Sequence, residues 1–204
     1  MRTALLFAGV AGLGAAAWAV LANAKNAPAA DAVTLPSDSL LNTIENFSLP
    51  VGLIMTDANL QAFLMLIRTG EGTSYDGGYS RLFGGGSFDS YADHPRISVT
   101  RNGLTSTAAG AYQILARTWD DLINAGNDLP DFTPPNQDVA AVALIKRRGA
   151  LADVAAGRFD TAIAKCNREW ASLPGSPYGQ PTLTMARANQ VLAQNGASLD
   201  GATA

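Results

Sequence analysis

Ala62-Phe63-Leu64-Met65-Leu66-Ile67-Arg68-Thr69-Gly70-Glu71-Gly72-Thr73 is the stretch that decides how the chain reads. Upstream, Thr56 or Asp57 offers an N-cap. Leu60, Phe63, Leu64 and Ile67 then follow at the spacing of a helix with an apolar face. That helix runs into a carboxylate held between two glycines. The chain has only three glutamates, Glu45, Glu71 and Glu169, and Glu71 alone stands between an apolar helix and a Gly-, Tyr- and Asp-rich segment. A carboxyl at the edge of a hydrophobic helix is partly desolvated. Desolvation disfavours the charged form, and a raised pKa suits a general acid. A solvated helix-end glutamate is the plain alternative.

Beyond Glu71, residues 77–103 carry Gly84-Gly85-Gly86, alternating aromatic and polar residues, and no helical period. They read as short β-hairpins. Ser106 or Thr107 then predicts the cap of a second helix through Tyr112, Ile114, Leu115 and Trp119, ending before Gly126. A third helix is expected over Val139 to Arg148 after Pro134-Pro135. Asp160 caps a fourth, with Ile163, Cys166 and Trp170 on one side. Residues 172–180 are too rich in Pro and Gly for regular structure, and a last helix fits Thr182 to Gln194. The expectation is an α+β, mostly helical domain with a small β-hairpin insert.

The N-terminus reads differently. Thr3 to Ala24 carries no charge between Arg2 and Lys25. At about 1.5 Å rise per residue, such a run spans the roughly 30 Å hydrocarbon layer of a membrane. Residues 1–25 therefore read as a signal anchor, a transmembrane helix at residues 3–24, or as a signal peptide cleaved near Ala22-Asn23-Ala24. Residues 26–55 read as a linker, within which Ser39 to Val51 forms a short helix or extended segment ended by Pro50. Residues 56–196 are the expected globular domain and 197–204 a flexible tail.

Composition narrows the function. The net charge of -3 offers no broad basic surface, so no nucleic-acid partner is expected. The one cysteine, Cys166, has no intrachain partner and reads as a core residue. No His/Cys cluster has metal-binding spacing, and neither a metal nor a cofactor is expected. His94, the only histidine, precedes Pro95 and reads as a structural loop residue.

The chemistry sits in ordered blocks: Glu71-Gly72-Thr73; Tyr75-Asp76-Gly77-Gly78-Tyr79; Asp89-Ser90-Tyr91-Ala92-Asp93-His94-Pro95-Arg96; Ser106-Thr107-Ala108-Ala109-Gly110-Ala111-Tyr112-Gln113; Trp170-Ala171-Ser172-Leu173-Pro174; and Tyr178-Gly179-Gln180. From about Ala62 to Gln180 this order resembles the lambda-type phage endolysins, lytic transglycosylases with a lysozyme-like fold. The resemblance implies cleavage of the β-1,4 bond between N-acetylmuramic acid and N-acetylglucosamine in peptidoglycan. It places the family's catalytic glutamate on Glu71, its Gly-x-Tyr-Gln block on Gly110, Tyr112 and Gln113, and its Tyr-Gly-Gln block on Tyr178 and Gln180. In one departure, the lambda member of the family has an arginine where this chain has Ala111. The N-terminal extension is another.

Read from the residues alone, a sugar-polymer cleft needs an acid for the leaving oxygen and aromatic faces for pyranose rings. Tyr75, Tyr79, Tyr112 and Tyr178 are the candidate faces. Ser106, Thr107, Gln113 and Gln180 are candidate partners for N-acetyl and hydroxyl groups. A hydrolase would instead need a second acid, for which Asp76, Asp89 and Asp93 are available. Each reads more simply as turn chemistry. Arg96 and Arg101 are candidates to hold acids or muropeptide carboxylates.

The expected partners are peptidoglycan glycan strands and, through residues 3–24, the inner membrane or a virion membrane. The location is then membrane-anchored or periplasmic in a bacterial host, or virion-associated. The alternatives are a hydrolytic muramidase, a non-catalytic membrane-anchored glycan-binding virion protein, or an assembly factor that opens the wall for a secretion machine.

Overall fold

The computed structural model describes residues 57–198. The expected membrane segment at residues 3–24, the linker at 26–55, and the segment from Ser39 to Val51 lie outside the described residues. Among the described residues no helix is long and apolar enough to cross a membrane. Among the described residues, six α-helices and one two-stranded antiparallel sheet make an α+β architecture. The helices are α1 (Ala58–Gly70), α2 (Ala116–Asn124), α3 (Pro134–Arg147), α4 (Leu151–Ala155), α5 (Phe159–Cys166) and α6 (Met185–Gln194). The strands are β1 (Val99–Arg101) and β2 (Leu104–Ser106).

Helix α1 is the central element. Asp57 caps it, its side chain accepting from the Leu60 N–H at 2.8 Å. Leu60, Ala62, Phe63, Leu64, Leu66 and Ile67 are all buried, and the helix packs against α4 and α6. Each fully buried Leu, Ile or Phe side chain contributes about 1.5–3 kcal/mol relative to exposure, which anchors this helix far more firmly than its propensity does. The helix ends in a Schellman motif. Thr73 N–H donates to the Arg68 carbonyl at 2.8 Å and Gly72 N–H to the Thr69 carbonyl at 3.2 Å. The reversal needs a left-handed residue at position 72, and Gly72 supplies it with φ 70°. Glu71 is thus the last residue before the turn, fixed at a rigid helix end.

The expected run of hairpins over residues 77–103 is corrected. Gly78–Ser80 and Phe83–Gly85 form 3-10 turns, and a single hairpin spans β1 and β2. Its tip is Asn102-Gly103, with φ of 52° and 77°, the pairing that a tight hairpin turn demands.

The second helix also starts later than expected. It begins at Ala116, whose N–H donates to the Thr107 hydroxyl at 3.1 Å. Residues 108–114 instead fold back on themselves, with Ala109 and Ile114 exchanging backbone bonds of 3.0 and 2.9 Å. Gly110 and Gln113, at φ 76° and 47°, are incompatible with a continuing helix.

Helix α3 starts at Pro134 rather than Val139, because prolines suit the first helical turn, where no N–H partner is needed. The short helix α4 was not expected. Helix α6 begins at Met185, capped by Thr184, rather than at Thr182. Ala197 N–H donates to the Leu192 carbonyl at 3.1 Å, and Ser198 N–H donates to the Asn59 side chain at 2.8 Å, so these two residues belong to the domain.

The β-side of the domain closes over an aromatic cluster. Phe132 is completely buried, with Trp119 and His94 each edge-on at 4.8 Å and Phe88 at 5.8 Å. Cys166 is buried in the core as expected, and burial pushes its thiol up to about 12.

Candidate active site

Glu71 is half-buried. Burial raises its carboxyl above the ordinary carboxylate range, and a hydrogen bond from Ser172 pulls it part of the way back. The Ser172 hydroxyl donates to Glu71 Oε1 at 2.7 Å. Among the sequence blocks, three converge here through hydrogen bonds. The Thr73 hydroxyl donates to the Ala111 carbonyl at 2.5 Å, tying the turn after Glu71 to residues 110–113. The buried Trp170 indole donates to the Tyr112 carbonyl at 3.1 Å. Ser172 then reaches Glu71, and its own carbonyl accepts from Leu183 N–H at 2.8 Å. That last bond closes the base of the loop that carries Tyr178 and Gln180.

The expected substrate-facing residues fall into two groups. Tyr178 is 56% exposed, its hydroxyl donating to the Arg168 carbonyl, and Gln180 is exposed. Tyr75, three residues beyond the Schellman turn's Gly72, is 47% exposed. These two tyrosine rings present open faces.

Tyr112 does not. Only 2% of it is exposed, and its hydroxyl donates to Asp138 at 2.6 Å. Its ring is core, which corrects the expectation that it stacks on a sugar. Tyr79 is half-buried and likewise donates to Asp138, at 2.8 Å. Gln113 is half-buried and commits its side-chain nitrogen to the Gly110 carbonyl at 2.9 Å. Ser106 and Thr107 are half-buried and accept backbone N–H groups, from Ala108 and Ala116 respectively, so their hydroxyl oxygens shape the turn. Ala111 is completely buried and works through its backbone.

Behind Tyr112 lies a polar network that sequence reading missed. The Arg68 guanidinium sits 4.5 Å over the Tyr79 ring and donates to the Thr73 carbonyl at 3.2 Å. Asp138 accepts both tyrosine hydroxyls, and burial raises its carboxyl. Burial, with the Asp138 charge behind it, pushes Tyr79 up to about 12 and Tyr112 well above its usual range. Both phenols therefore stay neutral donors.

Gln137, completely buried, is the brace of the 110–113 turn. It accepts from Ala111 N–H at 2.8 Å and donates to the Tyr79 and Phe132 carbonyls at 3.0 and 2.8 Å. Replacing it by Ala strands all three backbone groups. At about 1–3 kcal/mol for each buried group left unpaired, the expected loss is about 3 kcal/mol or more. Denaturant titration checks it; a loss below about 1 kcal/mol would mean that water replaces the side chain.

The acids weighed for a hydrolase differ from Glu71. Asp93 Oδ1 accepts from His94 N–H at 2.7 Å and from the Trp119 indole at 3.1 Å, while Oδ2 accepts from Arg96 at 3.1 Å. Burial alone would raise its carboxyl, but these bonds and the Arg96 charge hold it below the usual range. Asp76 and Asp89 are exposed. Arg96 also pairs with Asp120 at 2.7 Å, and Arg101 donates to the Gly84 carbonyl, so both arginines hold loops. His94 is buried. Its Nδ1 accepts from Arg96 N–H, which leaves Nε2 to donate to the Ile114 carbonyl at 2.9 Å. Burial lowers its pKa, as befits a neutral structural ring. Among the described residues no group of His, Cys, Asp and Glu is arranged to hold a metal ion.

Comparison with known proteins fits this geometry. Residues 61–199 match the family model Endolysin. The endolysin of Escherichia phage lambda is 44% identical over 135 residues, covering 62% of this chain and 85% of that protein. The endolysin of Escherichia phage P2 is 40% identical over 143 residues, covering 62% and 86%. Among solved structures, bacteriophage lambda lysozyme complexed with a chitohexasaccharide superposes with a TM-score of 0.65 at 38% identity, covering 70% of this chain and 96% of that one. A second lambda lysozyme structure gives 0.60. The chain therefore belongs to the phage endolysin family, lysozyme-like enzymes that cleave peptidoglycan.

Proposed function

We propose that this protein is a lytic transglycosylase in which Glu71 is both acid and base. The observation that carries the reading is the desolvated Glu71 carboxyl, fixed at a helix end beside the loop bearing Tyr178 and Gln180. In the first step the neutral carboxyl protonates the glycosidic oxygen as the bond from muramic C1 to that oxygen breaks. The N-acetyl group of the substrate stabilises the positive charge that develops at C1. The sugar's own C6 hydroxyl then attacks C1, and its proton returns to the Glu71 carboxylate. A 1,6-anhydro ring forms, the acid is restored, and no water or second carboxylate enters.

The state of the aspartates supports this over hydrolysis. Asp93 is spent on loop structure, and Asp76 and Asp89 are exposed without the burial that marks Glu71. The exposed rings of Tyr75 and Tyr178 are the available stacking faces, with the Gln180 amide and the side-chain oxygen of Gln113 as partners for the amino sugars. Mass spectrometry of digested sacculi is the test. Muropeptides ending in 1,6-anhydro-muramic acid are expected, whereas reducing muramic ends would replace this mechanism with lysozyme-type hydrolysis.

In this reading the enzyme reaches its substrate through the charge-free run Thr3 to Ala24, which carries it across the inner membrane for host lysis. The N-terminal residue of the exported protein separates a retained anchor from a cleaved signal. A protein left in the cytoplasm would refute the export route.

A further inference from the structure

We propose that Ser172 is a positioning residue for the Glu71 carboxyl, donating to Oε1 so that Oε2 alone gives up and takes back the reacting proton. The proposal rests on the reading of Glu71 as the acid and deepens it. A hydroxyl has one proton to donate, and in a neutral carboxyl the carbonyl-type oxygen is the better acceptor. With Ser172 on Oε1, the acid's own proton resides on Oε2. One oxygen then faces the glycosidic bond in both half-reactions. Oε2–H breaks as the proton passes to the leaving oxygen, and it reforms as the C6 hydroxyl closes the anhydro ring. The carboxyl has no need to rotate between the steps.

Two independent features of the fold point to this bond. The first is how firmly Ser172 is held. Trp170 before it is pinned to the Tyr112 carbonyl, Leu173 after it is completely buried, and its own carbonyl accepts from Leu183.

The second is Gly70. It ends α1 in ordinary helical conformation, so nothing in its backbone requires glycine. Glycine there costs about 0.5–1 kcal/mol relative to alanine. A Cβ at this position would lie 2.5 Å from Ser172 Oγ and 3.0 Å from Ser172 Cβ. The bare α-carbon is what admits the serine to the acid.

The test is the pH dependence of kcat/KM on purified sacculi. The Ser172 bond favours the carboxylate, so its removal raises the pKa of the acid and moves the alkaline limb upward. Ser172→Ala is expected to shift that limb by about one pH unit and to lower kcat about tenfold, with KM within about twofold. Gly70→Ala, which pushes the hydroxyl away, is expected to move the limb the same way in a protein that still melts cooperatively. Should Gly70→Ala not fold, the Ser172→Ala profile decides alone. An unmoved limb in Ser172→Ala, whatever its rate, overturns the proposal and leaves Ser172 a packing residue. Full activity in Glu71→Gln, by contrast, removes the reading of the acid itself.

Discussion

Glu71→Gln is expected to reduce kcat/KM on peptidoglycan by about a thousandfold or more while the protein remains folded. A positioned acid or base contributes about 10²–10⁴-fold, and here one group fills both roles, so the loss belongs at the upper end. The amide is nearly isosteric, and its oxygen still accepts from Ser172, so the loop that bears Tyr178 keeps its anchor. Wall-clearing assays with thermal melting as a control measure both halves of this statement.

Stability carries an independent signature. Burial holds the folded-state carboxyl above its ordinary value of 4.5. The folded protein therefore binds this proton more tightly than the unfolded chain, and stability falls as pH rises from the unfolded value through the folded one. Gln does not ionise. The melting-temperature advantage of the variant is absent in acid and opens as pH climbs through that window. A gap that is constant with pH would show that the Glu71 carboxyl is not desolvated.

The second large effect is expected at Gly78. A Cβ there would stand 1.9 Å from the Thr73 carbonyl oxygen and 2.8 Å from its carbon. The obstacle is backbone, so no side chain can swing aside. Thr73 is itself completely buried and hydrogen-bonded to Ala111. Gly78 N–H is in turn fixed to the Tyr75 carbonyl at 3.0 Å. Gly78→Ala must break one of these anchors. The expected loss is about 3 kcal/mol or more, or roughly 10 °C in melting temperature. The displaced segment begins two residues beyond Glu71, and a shift of about 1 Å in an active site costs about a hundredfold in rate. A variant melting within a couple of degrees of the parent would show that the turn slides to accept the methyl group.

What was legible in the chain was local. Helix α1 was readable because its apolar residues recur at helical spacing behind a capping Asp57, and Glu71 stood out because that helix delivers it. The region from Thr107 to Leu115 misled for the same reason. It carries enough apolar residues to imitate a helix, while the positive φ of Gly110 and Gln113 is a tertiary choice enforced by Gln137.

By sequence Tyr112 reads as a sugar-facing ring because nothing near it announces Asp138, 26 residues further on. Asp138 and Gln137 sit in an amphipathic helix, where polar side chains ordinarily read as a solvated face. Ser172 lay inside a block the sequence did flag, yet its role depends on a partner that no spacing rule connects to it. Where acid, brace and loop arise from distant segments, only the packed structure shows them together.

The bond between Glu71 and Ser172 joins residues 101 positions apart. Most of the domain must therefore emerge and pack before the warhead is armed. A nascent chain that has not yet reached residue 172 holds its acid without the latch.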